Sequence, residues 1–160
     1  MKIIDLQIYG YGKIENKEIG NLSPTVQVFF GNNEAGKSTL MSFIHSILFG
    51  FPTKLQQDLR YEPKSGGKYG GKITIQTSEF GTITIERIPG KASGDVTVYM
   101  PNGTIGGEEV LTELFQGMDK SFYQGIYSYN LQGLQGVHQV NAEHLGNYLF
   151  SAGAIGTDAL

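Results

Sequence analysis

An α/β fold is predicted by three features of the sequence. Residues 25–30 (TVQVFF) are a short apolar run rich in β-branched and aromatic side chains, the composition of a buried strand. Residues 31–39 (GNNEAGKST) follow at once and match the pattern G-x-x-x-x-G-K-[ST]. Leu40, Phe43, Ile44, Ile47 and Leu48 then fall at helical spacing, and Phe49-Gly50-Phe51-Pro52 ends the helix. Strand, Gly-rich loop and helix in that order make a phosphate-binding loop, and around them the chain supplies alternating runs that read as antiparallel strands.

The elements follow in order. Lys2 to Tyr9 alternates, with Ile4, Leu6 and Ile8 on one face, and reads as a half-buried strand. Gly10-Tyr11-Gly12 is a turn, and Lys13 to Ile19 a second short strand. Residues 21–24 are a loop before the 25–30 strand, the P-loop and its helix. Gln56 to Gly71 is polar and Gly-rich and reads as a surface loop. Lys72 to Thr77, Thr82 to Arg87 and Val96 to Met100 alternate again, separated by Phe80-Gly81, Pro89-Gly90 and Pro101-Asn102-Gly103, so they predict an antiparallel meander. Glu108 to Phe115 reads as a short amphipathic helix, Asp119 as an N-cap, and Asn141 to Phe150 as a last helix. No internal repeat interrupts this, and one nucleotide-binding lobe over residues 1–160 is expected.

Each fixed position of residues 31–39 has a physical task. Gly31 and Gly36 let the backbone curl so that several N–H groups point at one anion. Lys37 carries a point charge to the β- and γ-phosphates, and Ser38 a hydroxyl for Mg²⁺. The helix N-terminus adds unpaired N–H groups and partial positive charge. The ligand expected is therefore Mg²⁺-ATP or another nucleoside triphosphate. Asn32, Asn33, Glu34, Ala35, Gly36 and Thr39 complete the candidate cradle, with Thr39 near the α-phosphate and Glu34, inside the variable positions, a solvated or structural residue rather than a catalytic acid.

Composition narrows the rest. The chain has 160 residues, 39% of them hydrophobic, enough for a domain with a core. Without cysteine it has neither a disulfide framework nor a Cys-based metal site. No apolar stretch approaches a membrane span, and the N-terminus lacks the pattern of a signal peptide, so a cytoplasmic protein without membrane contact is expected. A net charge of −3 does not mark a polyanion binder, although the basic residues gather between Lys54 and Lys91. That cluster either faces phosphates or is a solvated sheet edge.

A P-loop ATPase also needs an apolar strand ending in an acid that holds Mg²⁺ and activates water. No such run follows the P-loop here, and the parallel strand–helix units of a complete core are missing. The chain reads as half of a nucleotide-binding domain.

The segments IIDLQIYGYGKIEN, GNNEAGKSTLMSFIHSILFG, YEPKSGGKYGGKITI and TITIER and the stretch ending YSYNLQGLQ together resemble the N-terminal segment of SMC-like ABC-type ATPases, the SbcC/YhaN-like DNA repair family. The resemblance implies the N-terminal lobe of an ABC/SMC-type head, with an antiparallel sheet flanking the P-loop strand and helix. A coiled coil and a C-terminal lobe carrying a signature motif and catalytic glutamate would follow. It implies ATP binding and, in the intact protein, hydrolysis that drives dimerisation with a second copy of the head in DNA double-strand-break repair or processing. DNA and a nuclease subunit become expected partners on that ground alone. The same resemblance places a Q-loop amide after the aromatic segment, where it joins the Mg²⁺ or water network. Asn130 and Gln132 are the candidates, in an open register, with Gln135 a third. It also places a basic residue near the nucleotide after the first strand, which makes Lys13 either a nucleotide contact or a surface lysine.

Other side chains carry open readings. Arg87 faces the nucleotide or DNA, or else makes a cross-strand pair. Tyr61 and Tyr69 stack on a base or, as loop aromatics more often do, pack on their own sheet. His45, His138 and His144 lack metal-ligand company and read as structural. A GTPase would need an Asn-Lys-x-Asp reader after the P-loop, and none follows it; a kinase would need lid arginines, and none follow Lys91. The rival of a different class is a nucleotide-gated interaction module without turnover.

Overall fold

The computed structural model describes residues 1–128 except 54, 57 and 58. The expected last helix, His138, His144 and the amides Asn130, Gln132 and Gln135 lie outside the described residues. The chain divides into two compact units, Met1–Gly117 and Met118–Leu160.

The first unit is built on one sheet. β1 (Lys2–Tyr11) turns into β2 (Ile14–Ile19), and β3 (Gly70–Gln76), β4 (Thr82–Ile88), β5 (Asp95–Tyr99) and β6 (Ile105–Gly106) follow. The strand order is β2-β1-β3-β4-β5-β6 and every pairing is antiparallel. The alternation read from the sequence is the reason. Leu6, Ile8, Ile73, Ile75, Ile83, Ile85 and Val98 all turn to one face and are buried, so a one-residue slip of any strand would expose its apolar set. The expected meander forms, and β6, too short to leave a pattern, extends it.

Helix α1 (Lys37–Phe49) covers that face, lying against β3 and β4. Leu40, Phe43, Ile47 and Leu48 are its buried side chains. The approach is closest at Gly71, where an added Cβ would stand 2.2 Å from the Gln7 carbonyl oxygen and 3.0 Å from the Phe43 ring. His45 is buried in the same helix, as expected of a structural histidine. Helix α2 (Glu108–Leu114) follows β6 and buries Leu111, and Phe115 beyond it meets the Phe49 ring at 4.8 Å. In the second unit, helix α3 (Lys120–Tyr127) opens at Asp119, whose carboxylate accepts from the Phe122 N–H at 2.7 Å. This is the expected N-cap.

Two expectations are corrected. Residues 25–30 are not a strand: they have no regular secondary structure, and Val26, Val28 and Phe30 are 75%, 74% and 94% exposed. A strand exists only through ladder partners, and no described residue pairs with this segment. The composition reported a preference for burial, which the described residues leave unmet. Arg87 neither faces a ligand nor makes the alternative cross-strand pair. It shares the inward face of Ile83 and Ile85 and is fully buried. Its Nε donates to the Ile47 carbonyl at 2.9 Å, near the end of α1, and its Nη2 to both carboxylate oxygens of Glu108 at 3.0 and 3.1 Å. Burial lowers its pKa while Glu108 raises it. The guanidinium thus supplies a donor to a helix-end carbonyl that lacks an intrahelical one and ties α1 to α2.

The opposite face of the sheet is polar, centred on Glu86. Tyr9 and Tyr99 donate their hydroxyls to its two oxygens at 2.6 and 2.8 Å, and Lys68 and Lys72 stand 3.5 and 3.8 Å away. Burial works against the carboxylate charge, but the hydrogen bonds and the two ammonium groups outweigh it and hold the Glu86 carboxyl below its usual range. Because the folded pKa is the lower one, Glu86 contributes its full stabilisation above the ordinary carboxylate range, and this contribution is lost as pH falls from that range through the lower folded pKa. Glu86→Gln should therefore lower Tm at neutral pH, and the gap to wild type should close on acidification. A gap independent of pH in thermal melts would refute the assignment.

Candidate functional site

The P-loop joins the exposed 25–30 segment to α1. A turn closes it, with the Ala35 N–H donating to the Asn32 carbonyl at 3.2 Å, and Glu34 and Gly36 take positive φ of 66° and 96°. The first helical bond runs from the Leu40 N–H to the Gly36 carbonyl at 2.8 Å. The amides of Lys37, Ser38 and Thr39 come before that ladder and have no carbonyl one turn back to accept from them. They form the anion-binding end of the helix, and the buried Phe43 and Ile47 fix that end by holding α1 to the sheet.

Lys37 curls back over its own loop. Its Nζ donates to the Gly31 carbonyl at 2.6 Å and the Asn32 carbonyl at 2.8 Å. The ammonium is thus held beside the amides that would receive a phosphate, and it closes the loop as a charged pin. Ser38 is exposed at the same end, with its hydroxyl accessible for a hard cation. Curled backbone, helix-end amides, ammonium and hydroxyl are the donor set that Mg²⁺-ATP requires, and the residues present fit it.

A cleft of about 820 Å³ opens from this end, lined by Asn33, Glu34, Gly36, Lys37, Ser38 and Thr39 on the P-loop side. Gly12, Lys13 and Glu15 of the β1–β2 hairpin form a second wall, and Arg60, Tyr61, Glu62 and Lys64 a third. The third wall is built onto the hairpin and onto the segment that follows α1. The Gly12 N–H donates to the Tyr61 carbonyl, Ser65 Oγ donates to Glu15 at 2.6 Å, and Arg60 Nη1 donates to the Pro52 carbonyl at 2.6 Å. Arg60 is also paired with Glu62.

The structure therefore brings Lys13 to the same cleft as Asn33, Glu34, Gly36, Lys37, Ser38 and Thr39, although these lie in separate parts of the chain. Asn32 contributes its backbone carbonyl, which accepts from both the Ala35 N–H and Lys37 Nζ, to the P-loop's own bonds. Tyr69 packs in the interior, stacked on Phe51 at 4.3 Å, so the packing alternative holds for it. Glu15, Arg60, Glu62 and Lys64 were not legible as site residues. No motif spacing marks them, and only the folding of the hairpin and the following loop brings them to the P-loop. Among the described residues no cluster of three or more acidic or histidine side chains could hold a metal ion, and no helix is long and apolar enough to cross a membrane.

Comparison with known proteins agrees with the motif. The family described as AAA domain matches residues 1–159. An uncharacterised protein, YhaN, of Bacillus subtilis (strain 168) is 43% identical over 160 residues, all of this chain. The chain spans 16% of that relative's length.

Proposed function

Since the chain belongs to the AAA domain family of P-loop proteins, we propose that it is the N-terminal nucleotide-binding lobe of an ATPase head. ATP binding and hydrolysis in the intact protein would drive engagement of two such heads. The observation that carries this reading is the P-loop geometry: Lys37 and Ser38 stand at the exposed N-terminal end of a helix whose other face is anchored in the core. When bound, Mg²⁺ would neutralise phosphate charge. Ser38 and, in this reading, an amide at Asn130 or Gln132 would orient it. Lys37 and the helix-end amides would hold the β- and γ-phosphates, and Lys13 would add charge at the hairpin side. Phosphoryl transfer relies on positioning and electrostatics of this kind. The acid that activates water would come from another part of the protein.

The 25–30 segment, with which no described residue pairs, supports an incomplete head. It is rich in apolar residues, exposed and directly attached to the P-loop, so a strand from elsewhere in the intact protein would find an unpaired backbone there. DNA break repair or processing, with a nuclease subunit and a cytoplasmic setting, is the role we assign from resemblance to the SbcC/YhaN-like proteins. The full-length protein should hydrolyse ATP and should self-associate with Mg²⁺-ATP but not with Mg²⁺-ADP, as sedimentation velocity would show. Association without turnover would favour a nucleotide-gated interaction module instead. Within the ATPase reading, Ala at Asn130 or at Gln132 should lower turnover at least about tenfold while changing ATP binding less.

A further inference from the structure

The cleft extends past the residues that a triphosphate would use, and its far wall carries one aromatic ring, Tyr61, among Arg60, Glu62 and Lys64. Lys37 and Ser38 mark the β/γ end, and Thr39 is the next residue along the helix. A Cβ placed on Gly12 would come 3.0 Å from Thr39 Cγ2 and 3.3 Å from Tyr61 Cδ1, and Gly12 has φ +61°. Thr39, Gly12 and Tyr61 are therefore contiguous, packed closely around the glycine. A nucleotide whose phosphates run from Lys37 towards Thr39 must leave the P-loop in this direction, and Tyr61 is an aromatic ring waiting there.

Tyr61 is also held rigidly. Its ring stacks on Tyr11 at 5.6 Å and 23°. Tyr11 is fully buried, stacks in turn on Tyr69 at 5.5 Å, and is pinned to α1 by hydroxyl bonds to Ser42 Oγ at 2.9 Å and Ser46 Oγ at 2.7 Å. The P-loop helix and the ring at the cleft wall are thus parts of one packed block, so a ring placed this way costs little entropy to order when a ligand arrives. The neighbouring cation is committed elsewhere, since Arg60 holds Pro52 and Glu62.

We propose that Tyr61 is the stacking wall for the base of the nucleoside triphosphate whose phosphates occupy the P-loop. This rests on the nucleotide-binding reading above and adds the subsite for the non-phosphate end of the ligand. Calorimetric titration of the full-length protein with Mg²⁺-ATP and with Mg²⁺-tripolyphosphate tests it. Tyr61→Leu should weaken ATP about tenfold or more, as loss of one base–aromatic stack does, and leave tripolyphosphate unchanged, while Tyr61→Phe keeps wild-type affinity for both. Unchanged ATP affinity in Tyr61→Leu, or an equal loss for both ligands, overturns the assignment. Should Tyr61→Leu not fold, photo-crosslinking of the wild-type protein with 8-azido-ATP decides the matter: label on Tyr61 or its immediate neighbours supports the subsite, and label elsewhere refutes it. If the wild-type protein binds neither ligand and Lys37→Ala changes nothing, the nucleotide reading itself fails, and the base subsite with it.

Discussion

Lys37→Ala should lower ATP turnover by the full-length protein about 10²–10³-fold, the range seen when one preorganised charged or hydrogen-bonding donor is removed from a site of developing charge. Two effects combine. The substitution removes the positive charge beside the helix-end amides, and it removes the bonds by which Nζ holds the Gly31 and Asn32 carbonyls. The first acts on the phosphates as charge redistributes during transfer, and the second on the shape of the empty loop. Because the side chain is exposed and outside the core, folding should be unaffected, and the melting temperature serves as the control. Steady-state phosphate release measures the effect. Turnover within about twofold of wild type would mean that the P-loop is not where the chemistry is supported.

The second large effect should come from one methyl group. Gly71→Ala puts a Cβ 2.2 Å from the Gln7 carbonyl oxygen and 3.0 Å from the Phe43 ring. The first contact is with backbone, so no rotamer change relieves it and β1 and β3 must separate there; the second is relieved only if Phe43 or α1 shifts. Overpacking of this kind typically costs about 1–3 kcal/mol and occasionally more, and a backbone clash in a paired strand belongs at the upper end, at about 3 kcal/mol. Gly67→Ala, whose nearest atom would be Ser65 Oγ at 3.5 Å, is the matched control and should be close to neutral. Denaturant titration compares the two. Since Phe43 lies on the helix that begins at Lys37, nucleotide affinity should fall together with stability in the Gly71 variant.

The legible parts of this chain were those in which one face is buried and the other wet. β1, β3, β4 and β5 announced themselves by period-two alternation, and α1 by its apolar spacing, because burial of a single face leaves such a trace. Residues 25–30 carry the same kind of trace, yet they form no strand. Hydrophobic pattern states what a segment would gain from burial and says nothing of who would bury it. Arg87 shows the converse. A charge at a strand end suggested a ligand contact or a cross-strand pair, whereas its register with Ile83 and Ile85 already placed it inward, and the donor needed by the Ile47 carbonyl explains why a guanidinium stands there. The phosphate end of the site was readable as a contiguous motif. The walls at residues 12–15 and 60–64 were mostly hidden, because tertiary folding, not spacing, brings them to the P-loop.

The bare 25–30 segment also bears on how the chain behaves in solution. Six successive residues without charge or proline, rich in valine and phenylalanine, exposed and without regular secondary structure, have the composition of segments that stack into cross-β assemblies. Pro24 stands at one end as a gatekeeper and the glycine-initiated loop at the other. Between them, the apolar composition that suits the segment for burial makes it a self-adhesive surface while it stays exposed. Solubility of residues 1–160 produced alone should therefore depend on this stretch, and a single lysine at Val28, which points to solvent here, should relieve it.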